Sequence, residues 1–145
     1  MHDAEMLHAT SVAASGRALL IAGAAGAGKS SLALQLIAFG ARLISDDRTE
    51  LRAVDGTLVA HPAPNIAGKI EARGLGILSV PAAPPTPVAA LVDLDQIETA
   101  RLPPFRIRRM LDVDLPLLHK VDSPSFAAAL WLYLHHERWA PHPPD

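Results

Sequence analysis

Residues 23–30 read Gly-Ala-Ala-Gly-Ala-Gly-Lys-Ser and match the pattern G-x-x-x-x-G-K-[ST] at every fixed position. Glycines let the backbone wrap closely around a polyphosphate, so that its N–H groups point at the oxygens. The lysine of this pattern reaches the terminal phosphates, and its hydroxyl ligates Mg²⁺. The helix that follows adds its positive N-terminal end. We therefore expect a nucleotide-binding loop formed by Gly23, Ala24, Ala25, Gly26, Ala27, Gly28, Lys29, Ser30 and Ser31.

Two adjacent carboxylates, Asp46 and Asp47, directly follow the apolar stretch Ala41–Ser45. Ligand sites of open α/β sheets lie beyond the carboxyl ends of strands, so these carboxylates are expected near the nucleotide. One can hold Mg²⁺ and the other can take a proton from an attacking hydroxyl. Neighbouring side chains on a strand point to opposite faces, so both reach the site only if the strand ends there. The alternative is a solvated turn or cap.

A second polar pair, Glu71 and Arg73, lies two residues apart in a stretch expected to be extended. Residues with that spacing share a face. Glu71 could complete a metal shell and Arg73 could steady phosphate charge, while the competing interpretation is a surface ion pair. His8 is a third candidate, but its position alone does not distinguish it from the other histidines.

The elements around the loop are the ones that such a site requires. Arg17–Gly23 is a short apolar run typical of a buried strand, and residues 29–39 are helical in character and stop at Gly40. Ala41–Ser45 predicts the next strand. Strand, glycine loop and helix form the context that the motif needs, and a mere glycine-rich turn is the alternative.

The rest of the chain predicts more strands than helices. Asp55-Gly56 indicates a hairpin between Thr49–Ala53 and Thr57–Ala60. Proline clusters at 81–87, 103–104 and 141–144 indicate connections, with a loose tail from about 139. The remaining expectations are a loop at Pro62–Gly68, strands at Leu75–Val80, Val88–Leu94 and Leu115–Val121, a short helix at Ile107–Leu111, and a helix from Ser123-Pro124 to about Arg138 with an apolar stripe of Phe126, Leu130 and Leu134. Helices at the two ends and many strands between them predict an α/β domain with a mixed sheet.

Composition narrows the class of protein. The chain has 145 residues, half of them hydrophobic and 19% charged, which predicts one globular domain over 1–145. A net charge of −2 gives no electrostatic reason to expect nucleic acid or a membrane as partner. The absence of cysteine excludes disulfides, thiolate zinc sites and cysteine nucleophiles. With no signal-peptide pattern at the N-terminus, we expect a cytoplasmic protein.

The stretches Gly23–Ser30, Leu43–Arg48 and Ile70–Ile77 resemble, in order and spacing, the catalytic domain of HPr kinase/phosphorylase. The last of them, I-E-A-R-G-L-G-I, is distinctive of that family. The resemblance implies a P-loop domain with a mixed sheet, a P-loop helix and a C-terminal helix, a fold shared with PEP carboxykinase. It also implies a Mg²⁺-dependent enzyme that uses ATP or pyrophosphate to phosphorylate a serine of an HPr-like phosphocarrier protein, and that removes this phosphate by phosphorolysis.

The resemblance also implies roles for individual residues. Asp46 matches the general base of phosphorylation, which acts as the acid in the reverse reaction, and Asp47 is its companion carboxylate and a metal ligand. Ser30 and Glu71 match Mg²⁺ ligands, and Arg73 is the charged member of the signature. His8 stands where the family has a histidine that supports the catalytic aspartate.

Two family features are not found in the sequence: an N-terminal domain ahead of His8 and a basic, glycine-containing segment near the C-terminus. Arg106, Arg108 and Arg109 lie upstream of where that segment is expected. The chain therefore resembles the short proteobacterial forms, whose partner is an HPr-like protein of a regulatory phosphotransfer system. The family's homo-hexamer is an open question for such a form. Two other functions stay open at this point, a P-loop kinase for a small metabolite and a non-catalytic nucleotide-sensing module.

Overall fold

A computed structural model describes residues 4–136 and residue 138 of the chain. Within them it contains eleven strands and two helices. The strands are β1 (Ala4–Leu7), β2 (Ala9–Ala14), β3 (Arg17–Ala22), β4 (Arg42–Ser45), β5 (Thr49–Val54), β6 (Thr57–Pro62), β7 (Lys69–Ala72), β8 (Gly76–Ser79), β9 (Thr86–Ile97), β10 (Arg106–Met110) and β11 (Val113–Lys120). The helices are α1 (Lys29–Phe39) and α2 (Phe126–His135). The predicted tail from 139 to 145 lies outside the described residues.

Nine of the strands form one mixed sheet, as the sequence predicted, with β7 and β8 as a separate pair. Strand β3 runs parallel to β9, and β9 runs parallel to β11. Strand β4 also runs in this direction, because β2 lies antiparallel to both β3 and β4. The carboxyl ends of these four parallel strands therefore lie along one edge of the sheet, where ligand sites of α/β proteins are found.

Strand β3 is buried on both faces, which explains its unbroken apolar sequence. Leu19 and Ile21 pack into the core on the helical side of the sheet. Ala18 and Leu20 face a second core on the other side, which includes Leu51 of β5. All of these side chains are buried. The strand that carries the phosphate loop is thus held from both sides.

The two helices pack side by side on one face of the sheet. Helix α1 buries Leu32, Ala33 and Leu36, and α2 buries Leu130 and Leu134 of its predicted stripe. Phe126 packs partly buried against the same core, so the stripe is confirmed. Among the described residues, no helix has the length and apolar character needed to cross a membrane.

Tight hairpins connect the antiparallel strands. The predicted hairpin around Asp55-Gly56 is confirmed, and both residues have left-handed φ angles of 50° and 79°. This geometry is that of a type I′ turn, whose twist matches that of the strands. Ser15-Gly16 makes the same kind of turn between β2 and β3. Strands β1 and β2 were not predicted from the sequence.

The predicted helix at Ile107–Leu111 is wrong, because this segment forms β10. It pairs antiparallel with β11 across a two-residue turn at Leu111-Asp112. Arg106 and Arg108 share one face of β10 and reach carboxylates on or next to β9, 3.1 Å from Glu98 and 3.6 Å from Asp93. Arg109 lies 2.8 Å from Asp114, its partner in the pairing of β10 with β11. Opposite charges paired across neighbouring strands stabilise a sheet, so a strand suits this sequence.

Three further boundaries differ from the prediction. Helix α2 begins at Phe126 instead of Ser123-Pro124, since the Ser123 hydroxyl accepts the N–H of Ser125 within a turn before the helix. It ends at His135, so Arg138 lies beyond it. The proline cluster at 81–87 is also not wholly a connection, because Thr86 and Pro87 already pair with β6.

Strands β7 and β8 form a hairpin that shares no strand pairing with the large sheet. Ile70 and Ala72 on β7 are buried against the body of the protein. The hairpin's other large apolar side chains are exposed, including Leu75 and Ile77. The predicted strand Leu75–Val80 is thus confirmed as β8, but on the surface.

Candidate active site

The glycines of the phosphate loop serve two different purposes. Gly26 and Gly28 have φ angles of +83° and +102°, which glycine adopts easily, and apart from the adjoining backbone no heavy atom lies within 4 Å of where a Cβ would be. The loop backbone is therefore open toward solvent at these positions. At Gly23 a Cβ would lie 3.0 Å from the Ala27 Cβ and 3.2 Å from the Leu94 Cβ, so glycine is required there by packing.

The base of the loop is held from two directions. The Lys29 side chain is buried, and its Nζ donates hydrogen bonds to the carbonyl oxygens of Gly23 at 2.9 Å and Ala24 at 3.2 Å. The N–H of Ala24 donates to both carboxylate oxygens of Asp95, at 3.1 and 3.0 Å. The lysine ammonium thus lies against the loop, where the motif requires it.

Asp46 is the junction of the site. Its Oδ1 accepts hydrogen bonds from the Ser30 hydroxyl at 2.7 Å and from the Thr10 hydroxyl at 3.1 Å. Its Oδ2 accepts the backbone N–H of Glu71 at 3.1 Å. One partly buried carboxylate therefore connects the start of α1, strand β2 and the β7–β8 hairpin.

Asp47 lies beside this junction in a different conformation. Strand β4 ends at Ser45, and Asp47 has a left-handed φ of 67°. Its N–H donates to the Thr10 hydroxyl oxygen at 3.0 Å, and its Oδ1 lies 3.4 Å from Nε2 of His8. Both of these side chains are more than half exposed. His8 therefore contacts the companion carboxylate, Asp47, and not Asp46.

A cavity of about 380 Å³ joins the loop to the carboxylates. Its lining includes residues of the loop and the helix start, Ala25, Gly26, Gly28 and Lys29–Ser31, together with Asp46, Asp47, Glu71 and Arg73. Because the strand ends before Asp46, both aspartates reach this cavity. Gly23 and Ala24 form the base of the loop, and Ala27 faces a second cavity.

Glu71 lies on β7, and Arg73 lies in the turn that follows it. Both are exposed and both border the cavity. In the part of the chain that the structure describes, no ion pair joins these two side chains, so the surface-pair interpretation has no support.

The donor atoms around the cavity suit a magnesium ion. The Ser30 hydroxyl and the carboxylates of Asp46, Asp47 and Glu71 are hard oxygen ligands, which Mg²⁺ prefers. Within residues 4–136 and 138, no group of three or more histidine, aspartate or glutamate side chains could hold a metal ion. Mg²⁺ usually keeps several waters and binds through substrate phosphates plus one or two carboxylates.

Two residues of this arrangement were missed in the sequence. Asp95 follows the predicted strand Val88–Leu94, so the rule that singled out Asp46 would also have found it. Thr10 gave no such signal, because its contact with Asp46 depends on the pairing of β2 with β4 across the sheet.

The chain is similar to known proteins over the segment that contains these residues. The sequence model of the HPr serine kinase C-terminal domain matches residues 1–83, which include the loop, both aspartates and the β7–β8 hairpin. HPr kinase/phosphorylase of Clostridium botulinum strain Eklund 17B is 46% identical over 74 residues, covering 51% of this chain and 24% of that protein. The Clostridium tetani protein of the same name is 41% identical over 75 residues, covering 52% of this chain and 25% of that protein.

The chain thus spans about a quarter of the length of the curated relatives that it matches. A solved structure described as the Hpr(Ser) kinase/phosphatase from Coxiella burnetii superimposes with a TM-score of 0.76 at 22% identity, covering 90% of this chain and 94% of that one. That likeness confirms the predicted fold class. The family match covers more than half of the chain and contains the loop and its carboxylates. The chain therefore belongs to the HPr serine kinase C-terminal domain family.

Proposed function

We propose that this chain is a Mg²⁺-dependent kinase that transfers the γ-phosphoryl group of ATP to a serine of an HPr-like phosphocarrier protein. In the reverse direction it would remove that phosphate by phosphorolysis, releasing pyrophosphate. The observation that carries the proposal is the Asp46 carboxylate, which lies in the cavity beside the phosphate loop and is hydrogen-bonded to Ser30. The names of the clostridial relatives support the choice of acceptor.

The residues of the cavity have different roles in an in-line transfer of the phosphoryl group. The open backbone of the loop and the Lys29 ammonium bind and orient the polyphosphate. Ser30, Asp47 and Glu71 would hold Mg²⁺, which when bound neutralises charge on the phosphate oxygens. Arg73, which also borders the cavity, adds a further positive charge.

Asp46 accepts and returns the proton of the acceptor serine. As the serine oxygen forms its bond to phosphorus and the bond to the bridging oxygen breaks, the serine proton passes to Asp46. In the reverse direction the protonated carboxyl returns this proton to the departing serine oxygen, while inorganic phosphate takes the phosphoryl group. His8 contacts Asp47 and so acts on the site indirectly, as a positioning residue.

Residues 1–145 would carry out this reaction as one domain. Two observations support this. The hydrophobic cores on the two faces of the large sheet share its strands, and residues at the end of β4, on α1 and in the β7–β8 hairpin line the same cavity.

The test is incubation of the chain with ATP, Mg²⁺ and candidate HPr-like proteins, followed by mass spectrometry for phosphoserine. We expect Asp46→Asn to slow transfer by about 10²–10⁴-fold, the usual contribution of a general base, with nucleotide binding retained. Asp55→Asn in the distant β5–β6 turn makes the same chemical change and should leave the rate unaltered. Transfer by Asp46→Asn near the wild-type rate would refute the role of Asp46.

The same assay separates the alternatives. Phosphate transfer to a member of a metabolite panel, with none to the carriers, would indicate a small-metabolite kinase. ATP-dependent binding of a carrier with no transfer would indicate a nucleotide-sensing module.

A further inference from the structure

Thr10 on β2 contacts both aspartates of the active site although it has no exposed surface itself. Its hydroxyl oxygen accepts the backbone N–H of Asp47 at 3.0 Å, and its proton is donated to Oδ1 of Asp46 at 3.1 Å. A backbone N–H only donates and an ionised carboxylate only accepts, so the direction of both hydrogen bonds is fixed. One buried hydroxyl therefore connects the two residues that follow β4.

The two carboxylate oxygens of Asp46 are used unequally. Oδ1 accepts the hydroxyl protons of Thr10 and Ser30, whereas Oδ2 accepts only the backbone N–H of Glu71. Each carboxylate oxygen has two lone pairs and accepts about two hydrogen bonds. Among the residues that the structure describes, Oδ1 is therefore fully used and Oδ2 keeps one open position.

We propose that Thr10 is a positioning residue for phosphoryl transfer, whose hydroxyl orients the Asp46 carboxylate so that Oδ2 receives the proton of the acceptor serine. The inference rests on the proposed function, in which Asp46 takes this proton. The terminal torsion of an aspartate has a broad energy minimum, so the carboxylate rotates unless its oxygens are held. Thr10 holds it from a rigid position, because β2 is paired with β3 on one side and with β4 on the other.

Ser30 cannot replace Thr10 in this role. Its side chain is only half-buried, and its oxygen is also a proposed ligand of Mg²⁺, so its position depends on the bound metal. Thr10 has no exposed surface and acts on the substrates only through Asp46 and Asp47. Loss of its hydroxyl should therefore slow the transfer step and leave nucleotide binding almost unchanged.

Thr10→Val removes the hydroxyl and keeps nearly the same shape, and Thr10→Ser restores the hydroxyl. Thr49→Val is a matched control, because Thr49 is another fully buried threonine of the same sheet, with hydrogen bonds to Ser11 and the Ala9 carbonyl oxygen. The assay measures kcat and KM for phosphorylation of the carrier and Kd for ATP by calorimetry, at a temperature where urea unfolding shows every variant to be folded.

We expect Thr10→Val to lower kcat by about 10–100-fold, the usual effect of a small misplacement of a catalytic group, and to change Kd for ATP by less than about twofold. Thr10→Ser should keep kcat within about threefold of wild type, and Thr49→Val within about twofold. Such a loss of kcat without a loss of ATP binding, recovered by serine, is not expected from a residue that only stabilises the fold.

A kcat near that of wild type in Thr10→Val, equal losses in Thr10→Val and Thr49→Val, or no recovery in Thr10→Ser would each overturn the inference and leave the proposed function standing. If the wild-type chain phosphorylates a metabolite and no carrier, the proposed function fails. A selective loss of kcat in Thr10→Val with that metabolite would then still support the role of Thr10. If the wild-type chain transfers phosphate to neither, both proposals fall.

Discussion

The Asp46 junction contributes to stability as well as to chemistry, and the structure indicates which contact matters. Thr10 has no exposed surface, and its hydroxyl donates to Asp46. Asp46→Ala removes that acceptor and leaves a buried donor unsatisfied, which costs about 1–3 kcal/mol. The other two donors, Ser30 and the Glu71 amide, are partly or fully exposed, so each can donate to solvent water on its exposed side at little cost. We therefore expect Asp46→Ala to lower the free energy of unfolding by about 1–3 kcal/mol, mainly through Thr10.

A double-mutant cycle tests this reasoning. Thr10→Val removes the donor, so Asp46→Ala made in that background no longer leaves a buried hydroxyl without a partner. In the Thr10→Val background, Asp46→Ala should therefore lower the free energy of unfolding by at least about 1 kcal/mol less than it does in the wild type. Urea unfolding followed by circular dichroism measures all four free energies.

Asp47→Asn is the control for this cycle, because it changes an exposed neighbour that tolerates the left-handed conformation; its effect should stay within about 0.5 kcal/mol. If Asp46→Ala costs the same in both backgrounds, the hydrogen bond to Thr10 is not what stabilises this region.

Three other predictions concern separate parts of the molecule. Asp95→Ala removes the acceptor of the Ala24 N–H and should weaken binding of both ATP and inorganic tripolyphosphate by about 2–10-fold in calorimetric titration. Asp95→Asn keeps one acceptor oxygen and should bind both ligands with most of the wild-type affinity. Wild-type affinity in Asp95→Ala would contradict a role of Asp95 in holding the loop. The hydrogen bond from Arg106 lowers the pKa of Glu98, so this carboxylate stabilises the fold above the ordinary glutamate pKa of about 4.3 and loses that effect as the pH falls through its lowered folded-state pKa. The difference in unfolding midpoint between wild type and Glu98→Gln should then shrink as the pH falls below the ordinary glutamate pKa, and a difference independent of pH would contradict the ion pair. Leu134→Ala leaves a cavity at a fully buried position and should lower the free energy of unfolding in urea by about 2–5 kcal/mol. Leu132→Ala, at an exposed position of the same helix, should lower it by less than about 0.5 kcal/mol. Equal losses would show that α2 does not pack as described.

The sequence was informative where local signals and the fold agree. The phosphate loop, its strand and its helix were predicted because the glycine pattern, the apolar run and Gly40 each act within a few residues. The hairpin at Asp55-Gly56 was predicted because that dipeptide adopts the required left-handed turn easily.

The failures came from contacts between distant segments. Leu111-Asp112 occupies the same kind of turn with an unusual first residue, so β10 carried no hairpin signal and Ile107–Leu111 was interpreted as a short helix. The carboxylates that pair with the arginines of this strand are Asp93 on β9, Glu98 directly after β9 and Asp114 on β11. Thr10 was missed for the same reason, because only sheet pairing brings it to Asp46.

The separation of the β7–β8 hairpin from the large sheet has a consequence for local opening. Movement of the hairpin away from the body breaks no strand pairing with the large sheet; it exposes Ile70 and Ala72 and breaks the Glu71 N–H bond to Asp46. Segments with few such ties open at free energies below that of global unfolding. Hydrogen exchange at the Glu71 amide should therefore be faster than at the amides of β3, and its rate would report how often one wall of the cavity is displaced while the rest of the protein stays folded.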